Sequence, residues 1–247
     1  MEHLNPPTVK SVRYDRNFIK TAVCELRFPT LLKLENNPPT DFQAKIRRNY
    51  PFYEPQLIEQ VGRTDGMSRE HHYLFRSKDK NWTVAVKSFS IALETSKYID
   101  FDDFFARFVE ILDSAKEMID SDFFTRVGLR YMNSVPLEDR NPAGWIRSDL
   151  ICAITGGVLG VPKSYRSIVQ GRMEEGEYTF RHGLDAGENP SQPDAAKYIL
   201  DFDYFKEGVE LDDVQKLVKG FNERNFSFFS WCLDEKAKAI LGEGKPK

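Results

Sequence analysis

The sequence predicts an α+β protein built as two pseudo-repeats of β-α-β-β(-β)-α, giving a curved antiparallel sheet with helices packed on one face. Three observations predict it. Residues 21–28 and 125–131 alternate apolar and polar side chains as half-buried strands do, and Leu129-Arg130-Tyr131 follows Leu26-Arg27-Phe28 at a distance of 103 residues. Each run is followed by a helix-start signal and then by a set of hairpin-like strands. Each half closes on an apolar stretch of helical spacing that begins at an Asp-Asp pair, Asp102-Asp103 and Asp212-Asp213, where acidic residues meet the positive end of the helix dipole. The halves divide at 1–120 and 121–247 and are expected to pack as one globular unit.

In the first half, Ala22, Cys24, Leu26 and Phe28 fall on one side of a strand, with Val23, Glu25 and Arg27 on the other. Thr40, preceded by Pro38-Pro39 and followed three residues later by Gln43, reads as a capping box opening a helix with Phe42, Ile46 and Tyr50 on one face. Strands over 73–77 and 82–95 flank the polar turn Lys78-Asp79-Lys80-Asn81. The closing helix carries the stripe Phe101, Phe104, Phe105, Phe108, Ile111, Leu112, Ala115 and Met118.

In the second half, Asn141-Pro142 reads as the cap and first position of a helix through Trp145, Ile146, Leu150 and Ile154, stopped by Gly156-Gly157. Strands over 164–173 and 178–184 flank Glu174-Glu175-Gly176, another covers 198–205, and 187–193 reads as an exposed loop. The last helix runs from Leu211 through Val214, Val218, Phe221, Phe228 and Cys232 toward Ile240, with a kink or break expected at Gly220 and at 222–225. The order of elements is similar to a duplicated helix-grip or TATA-binding-protein-like arrangement, a likeness of architecture that does not fix function.

Composition excludes several classes. A chain of 247 residues, 40% apolar with 19 Phe and 10 Tyr, can bury a large core and is not a disordered segment. The 35 Lys and Arg against 38 Asp and Glu leave a net charge of −3, so nucleic acid is not an expected partner. The start of the chain is polar and holds two prolines, which predicts no signal peptide and a cytoplasmic protein. Cys24, Cys152 and Cys232 are odd in number and lie more than 70 residues apart, which predicts three reduced, buried thiols rather than disulfides or a zinc site. The longest uncharged stretch, 150–162, falls short of the roughly 20 residues that span a bilayer, so no membrane association is expected.

A resemblance adds to this reading. The segment Asn17-Phe18-Ile19-Lys20-Thr21-Ala22-Val23-Cys24-Glu25-Leu26-Arg27-Phe28-Pro29 resembles the opening motif of a sporadically distributed prokaryotic family of about this length, which has no assigned activity. Gly128-Leu129-Arg130-Tyr131-Met132-Asn133 is similar to that family's central motif and Leu200-Asp201-Phe202-Asp203 to its late strand. Lys20-Thr21 stands where the family more often has an acidic residue. The resemblance implies the architecture, no particular reaction, and a place among accessory systems such as phage defence.

The best candidate surface is formed by Glu25, Arg27, Arg126 and Arg130. Alternation sets all four opposite the apolar sides of their strands, and strands lying near a pseudo-twofold axis gather them on one face. Such a face is either a ladder of cross-strand ion pairs, each contributing about 0.2–1 kcal/mol, or an arginine-bearing concavity that takes a carboxylate, a phosphate or a partner loop through forked contacts. Asp201 and Asp203 share one strand face, a spacing that suits a divalent cation or acid/base work. No third ligand is evident, and Arg166, Arg172 and Arg181 on neighbouring strands favour charge pairing over metal.

Other motifs are incomplete. In 157–164, Pro162 replaces the second glycine of a phosphate loop and the segment follows a helix, so it reads as a turn. Glu70-His71-His72 lacks the spacing of a helical zinc motif and is expected to precede a strand; His3 and His182 stand alone. Lys45, Arg47 and Arg48 followed by Tyr50, Phe52 and Tyr53 suit phosphate contact and base stacking, but Glu54, Glu59 and Glu70 dilute the charge. The sequence therefore predicts no cofactor and no metal. It predicts a non-catalytic binding or adaptor protein, with a homodimer also compatible, that recognises a protein partner or small anionic ligand on its sheet face. The alternative is a metal-dependent hydrolase of nucleotide or phosphate substrates that uses the late-strand carboxylates.

Overall fold

Alternation of small and bulky apolar residues with charged ones organises the long strands of the computed structural model, which describes residues 3–10, 12–61, 67–160, 162–185, 196–242 and 245–246. The expected loop at 187–193 lies outside the described residues. The chain runs β1 (Val12–Arg13), β2 (Ile19–Arg27), α1 (Lys33–Asn36), α2 (Thr40–Ile46), β3 (Phe52–Val61), β4 (Met67–Arg76), β5 (Trp82–Lys87), β6 (Ser90–Thr95) and α3 (Phe101–Ile119). It continues with β7 (Phe123–Pro136), α4 (Ser148–Thr155), β8 (Ser167–Met173), β9 (Gly176–Asp185), β10 (Lys197–Glu210), α5 (Val214–Cys232), α6 (Glu235–Leu241) and β11 (Lys245–Pro246). Nine strands form one antiparallel sheet in the order β3-β4-β5-β6-β2-β7-β10-β9-β8, and β1 pairs with β11. The protein is therefore α+β. Two compact units are present, one of residues 21–129 and 205–218, the other of residues 1–20, 130–204 and 219–247.

In the unit containing β2, Ala22, Cys24 and Leu26 are buried while Glu25 is half-buried and Arg27 exposed, as alternation requires. Asp100 caps α3 by accepting the Asp103 N–H at 2.9 Å, so the cap lies one residue before Phe101 and the Asp-Asp pair occupies the first turn. The α3 stripe buries Phe104, Phe108, Ile111, Leu112, Ala115 and Ile119, each contributing roughly 1.5–3 kcal/mol for the larger side chains. Phe101, Phe105 and Met118 stay half-buried at its rim.

Four expectations are corrected in this unit. Thr40 is the first residue of α2 rather than its cap: Pro39 holds the cap position and no side chain caps the helix. The run 82–95 is two strands, because a turn at Ser88-Phe89 receives the backbone N–H groups of Leu31 and Phe28. Strand β4 begins at Met67, so His71 and His72 lie inside a strand instead of before one. Its partner β3 escapes an alternation test because Phe52, Tyr53 and Leu57 are all exposed and Pro55 interrupts it. Tyr50 is a core residue, 1% exposed, and Lys45 binds Glu117 at 2.7 Å, which removes both from the stacking surface read from the sequence.

In the other unit, Phe180 of β9 and Phe202 of β10 stack at 4.8 Å between ring centroids, and Phe228 of α5 packs on them at 4.8 and 5.2 Å. α5 runs unbroken from Val214 to Cys232. Its polar residues are consumed by packing: Asn222 accepts the Tyr131 hydroxyl at 2.9 Å, and Asn225 and Ser227 are buried. The helix expected from Asn141 is shorter. Asn141 Oδ1 accepts the Ala143 N–H in a local turn, the chain extends at Arg147 (ψ 135°), and α4 starts only at Ser148. The glycine stop holds, with Gly157 at φ +79°. Cys24 and Cys232 are buried free thiols, but Cys152 sits on the outer side of α4 and is exposed, against the expectation of three buried thiols. Among the described residues no helix is long and apolar enough to cross a membrane.

Candidate anion-binding site

The sequence-derived candidates fall into two groups, one in each unit. In the unit containing β2, Glu25 accepts Arg27 Nε at 2.8 Å and Arg126 Nη1 at 3.3 Å through the same oxygen, Oε2. Arg126 lies flat on its strand because Gly128, two residues on, has no side chain; a Cβ there would stand 2.6 Å from Arg126 Nη1. Phe205 covers the guanidinium at 4.5 Å. With a side chain only 16% exposed, Arg126 is packed as a structural cation.

Arg130 has a different partner. In the other unit its Nε and Nη2 donate to Asp201 Oδ1 and Oδ2, both at 2.8 Å, the forked geometry that gives arginine its specificity for carboxylates. Burial alternates along β10, where Tyr198, Leu200, Phe202 and Tyr204 fill the core, so Asp201 and Asp203 stand on the opposite face, as expected from their spacing. Asp201 is itself 5% exposed. Arg181 of the neighbouring β9 reaches the same carboxylate, Oδ2, at 3.7 Å. Both arginine side chains remain more than two-fifths exposed, at 45% and 42%.

One buried anion thus serves two half-exposed cations. The carboxylate fixes where the guanidinium planes lie, and N–H donors of Arg181, whose side chain is 42% exposed, reach solvent. Exposed guanidinium groups held in place in this way have the donor geometry that suits a carboxylate or phosphate oxygen. Of the partners nominated for Asp201 from the sequence, Arg181 is one, whereas Arg172 sits 3.8 Å from Glu177. Arg130 was legible only as a strand charge; its pairing with a residue 71 positions away carries no sequence signal.

The remaining candidates do not form a site. Among the described residues no group of three His, Cys, Asp or Glu side chains is placed to hold a metal ion, and both oxygens of Asp201 already face arginine. His182 is buried against Phe180, and its Nδ1 lies 2.8 Å from the Tyr198 hydroxyl; desolvation pulls its pKa down to about 4, so it is neutral and part of the core. The 157–160 segment is a glycine turn with Val158 93% exposed. A cleft of about 550 Å³ beside it is lined by Asp139, Arg140, Pro142, Ile154 and Leu184, with its charges on the rim. No protein-family model matches the chain, and no curated protein matches its sequence.

Proposed function

We propose that this protein is a non-catalytic binding or adaptor protein that recognises an anionic group, foremost a carboxylate, at the Arg181–Asp201–Arg130 cluster. The observation that carries this reading is the disposition of Asp201, buried beneath two exposed arginines and oriented by a bidentate fork. The cluster presents guanidinium donors to solvent, and both oxygens of its carboxylate, Asp201, are turned to arginine, which suits recognition rather than turnover. The strand order, in which β2 and β7 are neighbours and later strands follow outward in reverse sequence on each side, supports reading the chain as two pseudo-repeats. Service in an accessory system such as phage defence belongs to the same proposal and rests on the sequence resemblance alone.

The test is a titration of the purified chain with acetate and with inorganic phosphate, following the side-chain Nε–Hε resonance of Arg181 by NMR. The expected result is a saturable shift that Arg130→Gln weakens and Gln170→Ala leaves in place. Shifts that follow ionic strength alone, identical for chloride and acetate, would sink the proposal.

A further inference from the structure

Arg181, the outermost member of the anion cluster, lies one strand in from an edge of the sheet, and among the described residues no further strand covers that edge. Strand β8 ends the sheet order, and within it residues 167–171 contain neither proline nor charge. Natural edges are normally blunted by such residues, as β3 at the opposite end is by Pro55. Ile168 is 66% exposed and Val169 42% exposed.

The direction of the free backbone groups follows from one hydrogen bond. The Leu4 N–H donates to the Arg172 carbonyl at 2.9 Å, so Arg172 turns its backbone away from β9. In an antiparallel ladder residues alternate between facing the partner and facing away. With Ile168 opposite Arg181, Gln170 opposite Thr179 and Arg172 opposite Glu177, the N–H and C=O of Ile168 and Gln170 also point outward. The chain's own N-terminal segment begins to use this edge at Arg172, but Pro6 and Pro7 have no N–H to continue a ladder.

We infer that β8 receives an extended peptide as an added strand, and that this peptide carries acidic side chains on one face and apolar ones on the other. The inference rests on the anion-binding reading above and names its partner. On the face shared by Ile168 and Gln170, side chains of an added strand approach, across Ile168, the half-exposed Arg181 and, further along, Arg172, which is paired with Glu177 at 3.8 Å, so charge complementarity selects Asp or Glu beside Arg181. On the other face Val169 offers apolar surface. Main-chain bonds to Ile168 and Gln170 supply affinity and the alternating side chains supply specificity.

The experiment is fluorescence anisotropy with the full chain and a dye-labelled, end-blocked heptapeptide of alternating Val and Glu. The comparison peptides are the same sequence N-methylated at alternate amides and a Val-Lys version. Strand addition predicts that N-methylation, or Gln170→Pro in the protein, weakens binding by at least about tenfold, the scale of one or two lost hydrogen bonds. Ile168→Glu, a change on the exposed side chain that sets a negative charge against the peptide's Glu residues, provides a second variant should Gln170→Pro unfold, and it too lowers affinity. Charge selection predicts that the Val-Lys peptide and Arg181→Gln each weaken binding on the same scale. Equal binding of the N-methylated peptide overturns edge docking while leaving anion recognition intact. Sensitivity to N-methylation without discrimination between Glu and Lys overturns the acidic partner. Failure of the Val-Glu peptide to bind at about 1 mM, with acetate still shifting Arg181, overturns edge docking alone.

Discussion

Arg130 and Asp201 form a bidentate pair of unequal partners: the guanidinium is 45% exposed and the carboxylate 6%. Losing either one therefore has different consequences. Arg130→Ala leaves a buried carboxylate with Arg181 at 3.7 Å as its remaining ionic partner shown here, whereas Asp201→Ala releases guanidinium groups that water can reach. We expect Arg130→Ala to cost about 2–4 kcal/mol and Asp201→Ala about 1–2 kcal/mol in urea unfolding. The reverse order would show that the carboxylate is not the costly partner.

Arg126 and Gly128 should be coupled. The side chain introduced by Gly128→Ala meets the Arg126 guanidinium, so it must displace a cation held by Glu25 and Phe205. In an Arg126→Ala background the same substitution meets no such group. A double-mutant cycle is expected to return a coupling of about 1 kcal/mol, and strict additivity would refute the packing role assigned to Gly128.

Gly183 is required for a different reason. A Cβ there would collide with the backbone carbonyl of Tyr165, which cannot swing aside as a side chain does. Gly183→Ala is expected to cost more than about 2 kcal/mol or to abolish soluble expression. Gly157→Ala meets nothing within 4 Å and loses only the preference for its left-handed backbone, about 1–2 kcal/mol. A thermal melt of the two variants side by side checks the ranking.

His182 makes stability dependent on pH. Burial lowers its pKa in the folded protein from 6.5 to about 4, so between these values the unfolded chain binds the proton more readily. Its contribution is therefore neutral above about pH 6.5, destabilises progressively as the pH falls, and levels off below about pH 4, reaching roughly 3 kcal/mol. His182→Phe, replacing the ring that stacks on Phe180, should remove that part of the slope. An unchanged difference in unfolding free energy between pH 7 and pH 4.5 would contradict the buried neutral imidazole.

The α+β class, the faces of β2 and β10 and the extent of α3 were legible because period-2 and helical patterns report burial directly. That is why Ala22, Cys24, Leu26 and Phe28 could be set on one side of their strand, where they are buried, and Asp201 and Asp203 on one face of theirs, from local sequence. The pattern fails where burial is not alternating. β3 exposes Phe52, Tyr53 and Leu57 and gives no periodic signal, and the Asn-rich part of α5 looked like a breaker until Tyr131 supplied a hydrogen-bond partner from a distant strand.

For the charged residues, the sequence determined which side of each strand Glu25, Arg27, Arg126, Arg130 and Asp201 would occupy, since side-chain direction follows from position along a strand. It did not determine who would meet whom. Partnership depends on strand order and register, which bring β10 beside β7 and β9 beside β10 across gaps of many tens of residues. Only the tertiary structure decided that Arg126 would be packed against Phe205 while Arg130 and Arg181 would share the buried Asp201, because a pairwise electrostatic contact is short-ranged and is set by distance in space rather than along the chain.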